Sequence, residues 1–297
     1  LEKLSQIEGS GFITSPGVVV PFGVMEESLH KTSVLEQEYQ MLAGRLNKLP
    51  QNSFLEALRK LQGIIRQLDV PDEIISGVME KFPRDERLMV RSSANCEDLE
   101  GLSGAGLYDS IANVSPTEVA QAVRKVWSSL WTMRAALSRR KFNIPHDRAH
   151  MAVLIQQMVV PEISFVMHTV NPVAQHQDEV YVELAAGLGE ALASGKIPGV
   201  PYRMVCNKHT GSVYMPAFAS FSYAIWPGPS GSLIQKTVDY SSIGLSKDKV
   251  FRNRLGSRLG AIGRFVEDSA GISQDIEGLV LEDKIYLVQS RPQQGVF

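Results

Sequence analysis

Apolar residues recur along this chain at two spacings, and each spacing predicts its own kind of element. Leu55, Leu58, Leu61, Ile65 and Leu68 fall at steps of three and four, which places them on one face of a helix over 52–68. Residues 1–8 read as the end of another amphipathic helix and Met25 to about Asn47 as a longer one, while Pro71 opens a short one that closes before Pro83. Ser115-Pro116-Thr117-Glu118 is a helix start, with Ser at the N-cap, Pro in the first turn and Glu placed to close a capping box. The helix it opens is predicted to reach about Arg140, with Val123, Trp127, Leu130, Arg134 and Leu137 as its inner stripe. Arg134 is the anomaly, because a guanidinium buried without a partner is costly. It either reaches water along its stem or meets an anion at the edge of a cleft. Arg139, Arg140 and Lys141 sit where the helix dipole favours cations and call for no further role. A last helix is predicted from Ser246 to about Asp268, burying Phe251, Leu255, Leu259, Ile262 and Val266.

Elsewhere the apolar runs are short and continuous, as buried strands are. Val18–Val20, Leu88–Val90, 151–160, 163–170 and 179–184 read this way. His168, inside one of them, reads as a packed, hydrogen-bonded histidine. Gly187-Leu-Gly-Glu either binds phosphate or simply turns the chain, and 200–240 reads as irregular strands and loops. Nothing marks a linker, so 1–297 is expected to be one module.

The most informative stretch is the last. Residues 275–281 and 285–291 read as two strands joined by Glu282, Asp283 and Lys284. Side chains alternate faces along a strand, and a three-residue loop sets Leu281 opposite Ile285 and Leu279 opposite Leu287. The same register sets Glu277 opposite Gln289 and Asp275 opposite Arg291. Two readings of that polar end stay open. A divalent cation on the carboxylate and amide oxygens, with a polyphosphate on Arg291, would satisfy all four groups. A cross-strand Asp275–Arg291 salt bridge beside a solvated Glu–Gln pair would do so as well.

A second polar stretch follows the strand at 88–90. Arg91-Ser-Ser ends that strand, Glu97 and Asp98 follow, and then a loop containing Gly101, Gly104 and Gly106. Glycines let a backbone approach a ligand closely, and successive amides in such a loop line up on a phosphate. Loops of this kind also serve as plain turns, and an arginine at a strand end is also an ordinary surface cation.

Composition narrows the partners without naming them. A net charge of −2 gives no bulk attraction to nucleic acid or to an anionic membrane. No apolar run reaches membrane-spanning length. Cys96 and Cys206 are the only cysteines, distant in sequence, which argues against a disulfide framework or a structural zinc site. The chain opens at Leu1 in what reads as mid-helix, so it is expected to be a fragment of a longer protein, its C-terminal part.

Six motifs now stand in one order: Arg91-Ser-Ser-Ala-x-x-Glu-Asp-Leu, Gly104-Ala-Gly, Trp127-x-x-Leu-x-x-x-Arg134-Ala, Val153-Leu-Ile-Gln-Gln-Met-Val, Gly187-Leu-Gly-Glu, and Asp275-Ile-Glu with Val288-Gln-Ser-Arg-Pro. That order resembles the ATP-binding domain shared by phosphoenolpyruvate synthase, pyruvate phosphate dikinase and the glucan, water dikinases. Within the group the chain is most similar to the phosphoglucan, water dikinase branch. The resemblance implies an α+β, ATP-grasp-like fold with ATP between two lobes, here about 1–115 and 116–297. It implies a dikinase reaction: the β-phosphate passes through a histidine to a glucan and the γ-phosphate passes to water. Residue by residue, it implies magnesium on Glu277 and Gln289 and phosphates on Arg91, Arg134 and Arg291. The Gly104, Ala105 and Gly106 loop would cover the phosphates, and the backbone of Gln156, Gln157, Met158 and Val159 would meet adenine.

The same resemblance implies a plastid enzyme of starch metabolism whose phosphohistidine loop and phosphate-binding lysine lie outside this chain. The chain alone would then bind ATP without completing the reaction. A phosphoenolpyruvate-forming enzyme, or a module that only binds nucleotide or glucan, are the alternatives.

Overall fold

The helical periodicity of 52–68 becomes the helix Gln51–Arg66, which buries Phe54, Ala57, Leu58, Leu61, Ile64 and Ile65. The computed structural model describes every residue except 100, 101, 104, 105, 194–197, 296 and 297. The chain folds as α+β and divides into two compact units, Pro16–Met158 and Leu1–Ser15 with Val159–Phe297.

In the unit Pro16–Met158, four strands pair antiparallel in the order Gly17–Val20, Met151–Gln157, Leu88–Ala94, Ile111–Val114. One core joins Leu88, Val90, Val153 and Ile155 of this sheet to Val123, Val126 and Trp127 of the helix Val119–Ser128. These compact units do not coincide with the lobes that the resemblance implies, about 1–115 and 116–297. The helix after residue 115 and the strand Met151–Gln157 complete the first unit's core rather than opening the second.

Two predicted helices are each broken in two. The stretch from Met25 forms Val24–His30 and Ser33–Arg45, with Thr32 outside the helical region at φ −127° and ψ 87°. The helix expected to reach Arg140 ends at Ser128, passes through a short turn Ser129–Trp131, and restarts as Met133–Lys141. The cause is legible locally. Ser128 and Ser129 donate their hydroxyls back to the carbonyls of Lys125 and Val126, and Thr132 caps the next helix by accepting from the Ala135 amide. The break rotates the stripe. Arg134 and Leu137 become exposed, and Arg139 turns inward to 1% exposure.

The other unit is built on a six-stranded antiparallel sheet in the order Val213–Ala217, Tyr202–Asn207, Glu179–Ala186, Ile163–His168, Gln274–Leu281, Lys284–Pro292. The helix Lys249–Ala270 covers one face, burying Leu255, Leu259, Ile262 and Val266 as expected. It starts later than expected, because Asp248 and not Ser246 caps it, accepting from the amides of Val250 and Phe251. Glycines let it lie close: a Cβ at Gly256 would stand 2.7 Å from Val213, and one at Gly263 would stand 2.9 Å from Val180. Met167, Val180, Met204 and Val213 therefore face this helix. The residues next to them in each strand face the other way.

Candidate functional site

The face turned away from the helix Lys249–Ala270 is polar at one end. Register places Arg291, Asp275, His168 and Tyr181 in one row across four strands. The next row holds Gln289, Glu277, Val166, Glu183 and Arg203. Both predicted pairings, Glu277 with Gln289 and Asp275 with Arg291, are present.

The turn end differs from expectation, and the difference explains the site. The connection is two residues, Glu282 and Asp283, both at positive φ (50° and 64°), so Leu281 faces Lys284 and Leu279 faces Tyr286. Continued unchanged, that register would set Glu277 opposite Val288 and Asp275 opposite Ser290. A bulge between Glu277 and Gly278 leaves Val288 without an opposite residue and shifts the pairing by one. Gly278 is required there, since a Cβ would lie 2.2 Å from the Phe165 ring and 2.6 Å from the Tyr286 carbonyl oxygen.

Arg291 donates from Nε at 2.9 Å and from Nη2 at 2.7 Å to Oδ2 of Asp275, and both side chains are largely buried, at 15% and 12% exposure. The salt-bridge reading of this pair is thus realised, and it leaves the other carboxylate oxygen in question. Oδ1 of Asp275 is buried and has no hydrogen-bond partner. Nδ1 of His168 lies 3.9 Å from it, also buried and without a hydrogen-bond partner among the described residues. His168 is therefore not the hydrogen-bonded histidine expected from the sequence. Glu183 accepts from Nε of Arg203 at 3.1 Å in the adjoining row. Sequence reasoning missed Glu183, Arg203 and His168 as neighbours of the ribbon, because only the order of the strands brings them there.

The donor set can be tested against magnesium. Glu277 and Gln289 supply a carboxylate and an amide oxygen from facing positions, both half-buried. Among the described residues no group of three His, Cys, Asp or Glu side chains gathers to hold a metal. Magnesium does not need such a cage, since it is held by one or two protein oxygens together with phosphates and water. The pair fits it.

In the unit Pro16–Met158, Arg91 lies mid-strand, half-buried, on the face opposite to Val90, which is in the core. Arg91 pairs with Leu154 and Met89 pairs with Gln156, so Arg91 and Gln156 share that face of adjacent strands. Gln157 and Met158 spend their amides inside the unit, on the carbonyls of Pro16 (3.0 Å) and Arg87 (2.7 Å). Both amides are thus already bonded within the unit. Arg134 is exposed on the first turn of its helix. Gly106 has φ +69°, a conformation that favours glycine, whereas Gly104 and Ala105 lie outside the described residues. Gly187 serves packing: its φ is +73° and a Cβ would meet the Ile225 oxygen at 2.5 Å.

Arg139, expected only to complement a helix dipole, is buried instead. Its Nε donates to Nδ1 of His146 at 3.0 Å and its Nη2 to the Leu130 carbonyl at 2.6 Å, while Nη1 is buried without a partner. The guanidinium stands 5.1 Å from the Trp131 ring centre. Burial, then the charges of Arg139 and Arg140, push the His146 imidazole down to about 4, so it stays neutral and can accept the Arg139 bond. The only available signal was the Ser-Ser-x-x-Thr run, which marks the helix break that turns Arg139 inward.

Residues 2–296 match a family model described as "Pyruvate phosphate dikinase, AMP/ATP-binding domain". The chain is 28% identical over its whole length to rifampicin phosphotransferase of Bacillus subtilis, and covers 34% of that protein. It is 32% identical over 80% of its length to phosphoenolpyruvate synthase of Pyrococcus furiosus, covering 30% of it. It is 30% identical over 93% of its length to the chloroplastic alpha-glucan water dikinase of Solanum tuberosum, covering 19% of it. The chain thus spans about a third or less of the length of these three relatives.

Proposed function

The chain belongs to the pyruvate phosphate dikinase AMP/ATP-binding domain family, and from that premise we propose that it binds magnesium and ATP for a dikinase-type phosphotransferase. It is an ATP-binding domain with the α+β, ATP-grasp-like fold of its family. The observation that carries the reading is the bulge-set quartet of Asp275, Glu277, Gln289 and Arg291 on one sheet face.

Phosphoryl transfer asks a protein mainly for positioning and charge compensation. Glu277 and Gln289 would hold the magnesium, which neutralises charge on the phosphate oxygens when bound. Asp275 aims the Arg291 guanidinium by two bonds to one oxygen, so the fork is oriented before any anion arrives. A phosphate then competes for donors already in place, and orientation need not be created on binding. Arg91, Arg134 and Gly106 are proposed as further phosphate contacts, on the resemblance alone.

For the finer reaction we propose transfer of the β-phosphate through a phosphohistidine elsewhere in the protein to a glucan, and of the γ-phosphate to water. Its support is the similarity to the glucan dikinase, 30% identical over 93% of this chain. A plastid location belongs to the same proposal, its support being the chloroplastic relative. Similarity at comparable identity to a rifampicin phosphotransferase and to phosphoenolpyruvate synthases favours a second reading, with the same nucleotide chemistry and a different acceptor. No helix among the described residues is long and apolar enough to cross a membrane.

Calorimetric titration of the chain tests the core of the proposal. Expected is saturable binding of ATP that requires magnesium and is lost in Glu277→Ala. Binding of a maltooligosaccharide with no binding of ATP would overturn it.

A further inference from the structure

The segment leaving the glycine loop is tied down by groups that the proposed chemistry does not use. The Leu107 carbonyl accepts from Oγ1 of Thr132 at 3.3 Å, and this hydroxyl is also the cap of the helix Met133–Lys141. The residue after Gly106 is thereby fastened to a helix start. One position further on, Tyr108 is 7% exposed, and its hydroxyl lies 3.1 Å from Sγ of Cys96. Cys96 is itself 3% exposed, just past the strand Leu88–Ala94 that carries Arg91.

The buried Arg139 acts on the same phenol. Burial and the Cys96 contact hold the Tyr108 hydroxyl well above the ordinary phenol range, and the guanidinium works against them. Tyr108 is thus a neutral donor or acceptor in a closed polar cluster, with Cys96 on one side and the Arg139 charge close by. The conformational freedom of glycine makes such an anchor necessary. Amides line up on a phosphate only if the ends of their segment are held.

We infer that Tyr108 is a positioning residue: anchored by Cys96 above the Arg139 cluster, it fixes the backbone at Gly106 and Leu107 and so sets how firmly that backbone holds the phosphates of the nucleotide. This rests on the reading that Gly106 meets those phosphates. A tyrosine of purely structural value would alter unfolding stability alone. A positioning tyrosine also alters the preference for a triphosphate over a monophosphate.

The test is calorimetric titration of the chain, as wild type, Tyr108→Phe and Cys96→Ala, with magnesium·ATP and with AMP. Expected is a loss of about threefold to tenfold for ATP, the worth of one hydrogen bond, with AMP affinity held within about twofold. Cys96→Ala leaves the phenol in place and carries the test if Tyr108→Phe unfolds. A folded variant with an unchanged ATP-to-AMP ratio overturns this inference alone. Absence of ATP binding by the wild type overturns the site reading and this inference with it.

Discussion

Two arginines, one in each unit, show how differently one charge can be housed. Arg291 lies on a sheet face, bonded twice to a single carboxylate oxygen of Asp275. Arg139 lies in a helical core, where it bonds to a neutral imidazole and a carbonyl, and no carboxylate among the described residues pairs with it. An arginine held by a carboxylate can exchange that partner for a phosphate of similar geometry. Arg139 has no comparable partner to exchange, and its alternative to the present bonds is an unpaired buried charge. The difference teaches that solvent access and the kind of partner, more than the charge itself, separate a guanidinium fit for ligand exchange from one that holds the fold.

That contrast can be broken or sharpened by experiment. The largest effect is expected from Arg291→Ala in the intact enzyme. Autophosphorylation from ATP should fall by about a hundredfold or more, the scale of a lost electrostatic donor at a reacting centre. Unchanged autophosphorylation would remove Arg291 from the chemistry. Arg139→Ala should act in the opposite sense. It should cost about 3 kcal/mol of stability in denaturant unfolding, through a cavity and an unpaired Leu130 carbonyl, and a cost below about 1 kcal/mol would contradict the packing role.

The smallest effect is one of pH. His146 stays neutral in the folded chain down to about 4, whereas the unfolded chain takes up a proton near the ordinary value of 6.5. Where the unfolded state binds more protons, stability falls as pH falls. The contribution of His146 is therefore full above 6.5 and is lost progressively towards 4. Unfolding midpoints at pH 7.5 and 5.5 should converge in His146→Gln relative to wild type. An identical drop in both would show that His146 contributes nothing to acid sensitivity.

Much of this was legible in the order of residues. The polar pairs expected from alternation, Asp275 with Arg291 and Glu277 with Gln289, are present. Helical spacing was enough for Gln51–Arg66, and the motif order was enough for the family. The prediction for the ribbon succeeded through compensating differences: the loop is one residue shorter than assumed, and a bulge at Val288 restores the register. The helix stripe failed at Arg134, because the hydroxyls of Ser128, Ser129 and Thr132 compete for backbone groups and divide the helix.

By itself, then, the sequence determined most of the elements, the two polar pairs at the open end of the last ribbon and the kind of chemistry. Those depend on periodicity and on neighbours within a few residues. Only the tertiary structure decided that His168 and Glu183 stand beside the ribbon and that Arg139, rather than Arg134, is buried. It also decided that Tyr108 ends beside Cys96. The physical reason is the same in each case: strand order and helix breaks set contacts between distant segments, and no local spacing encodes them.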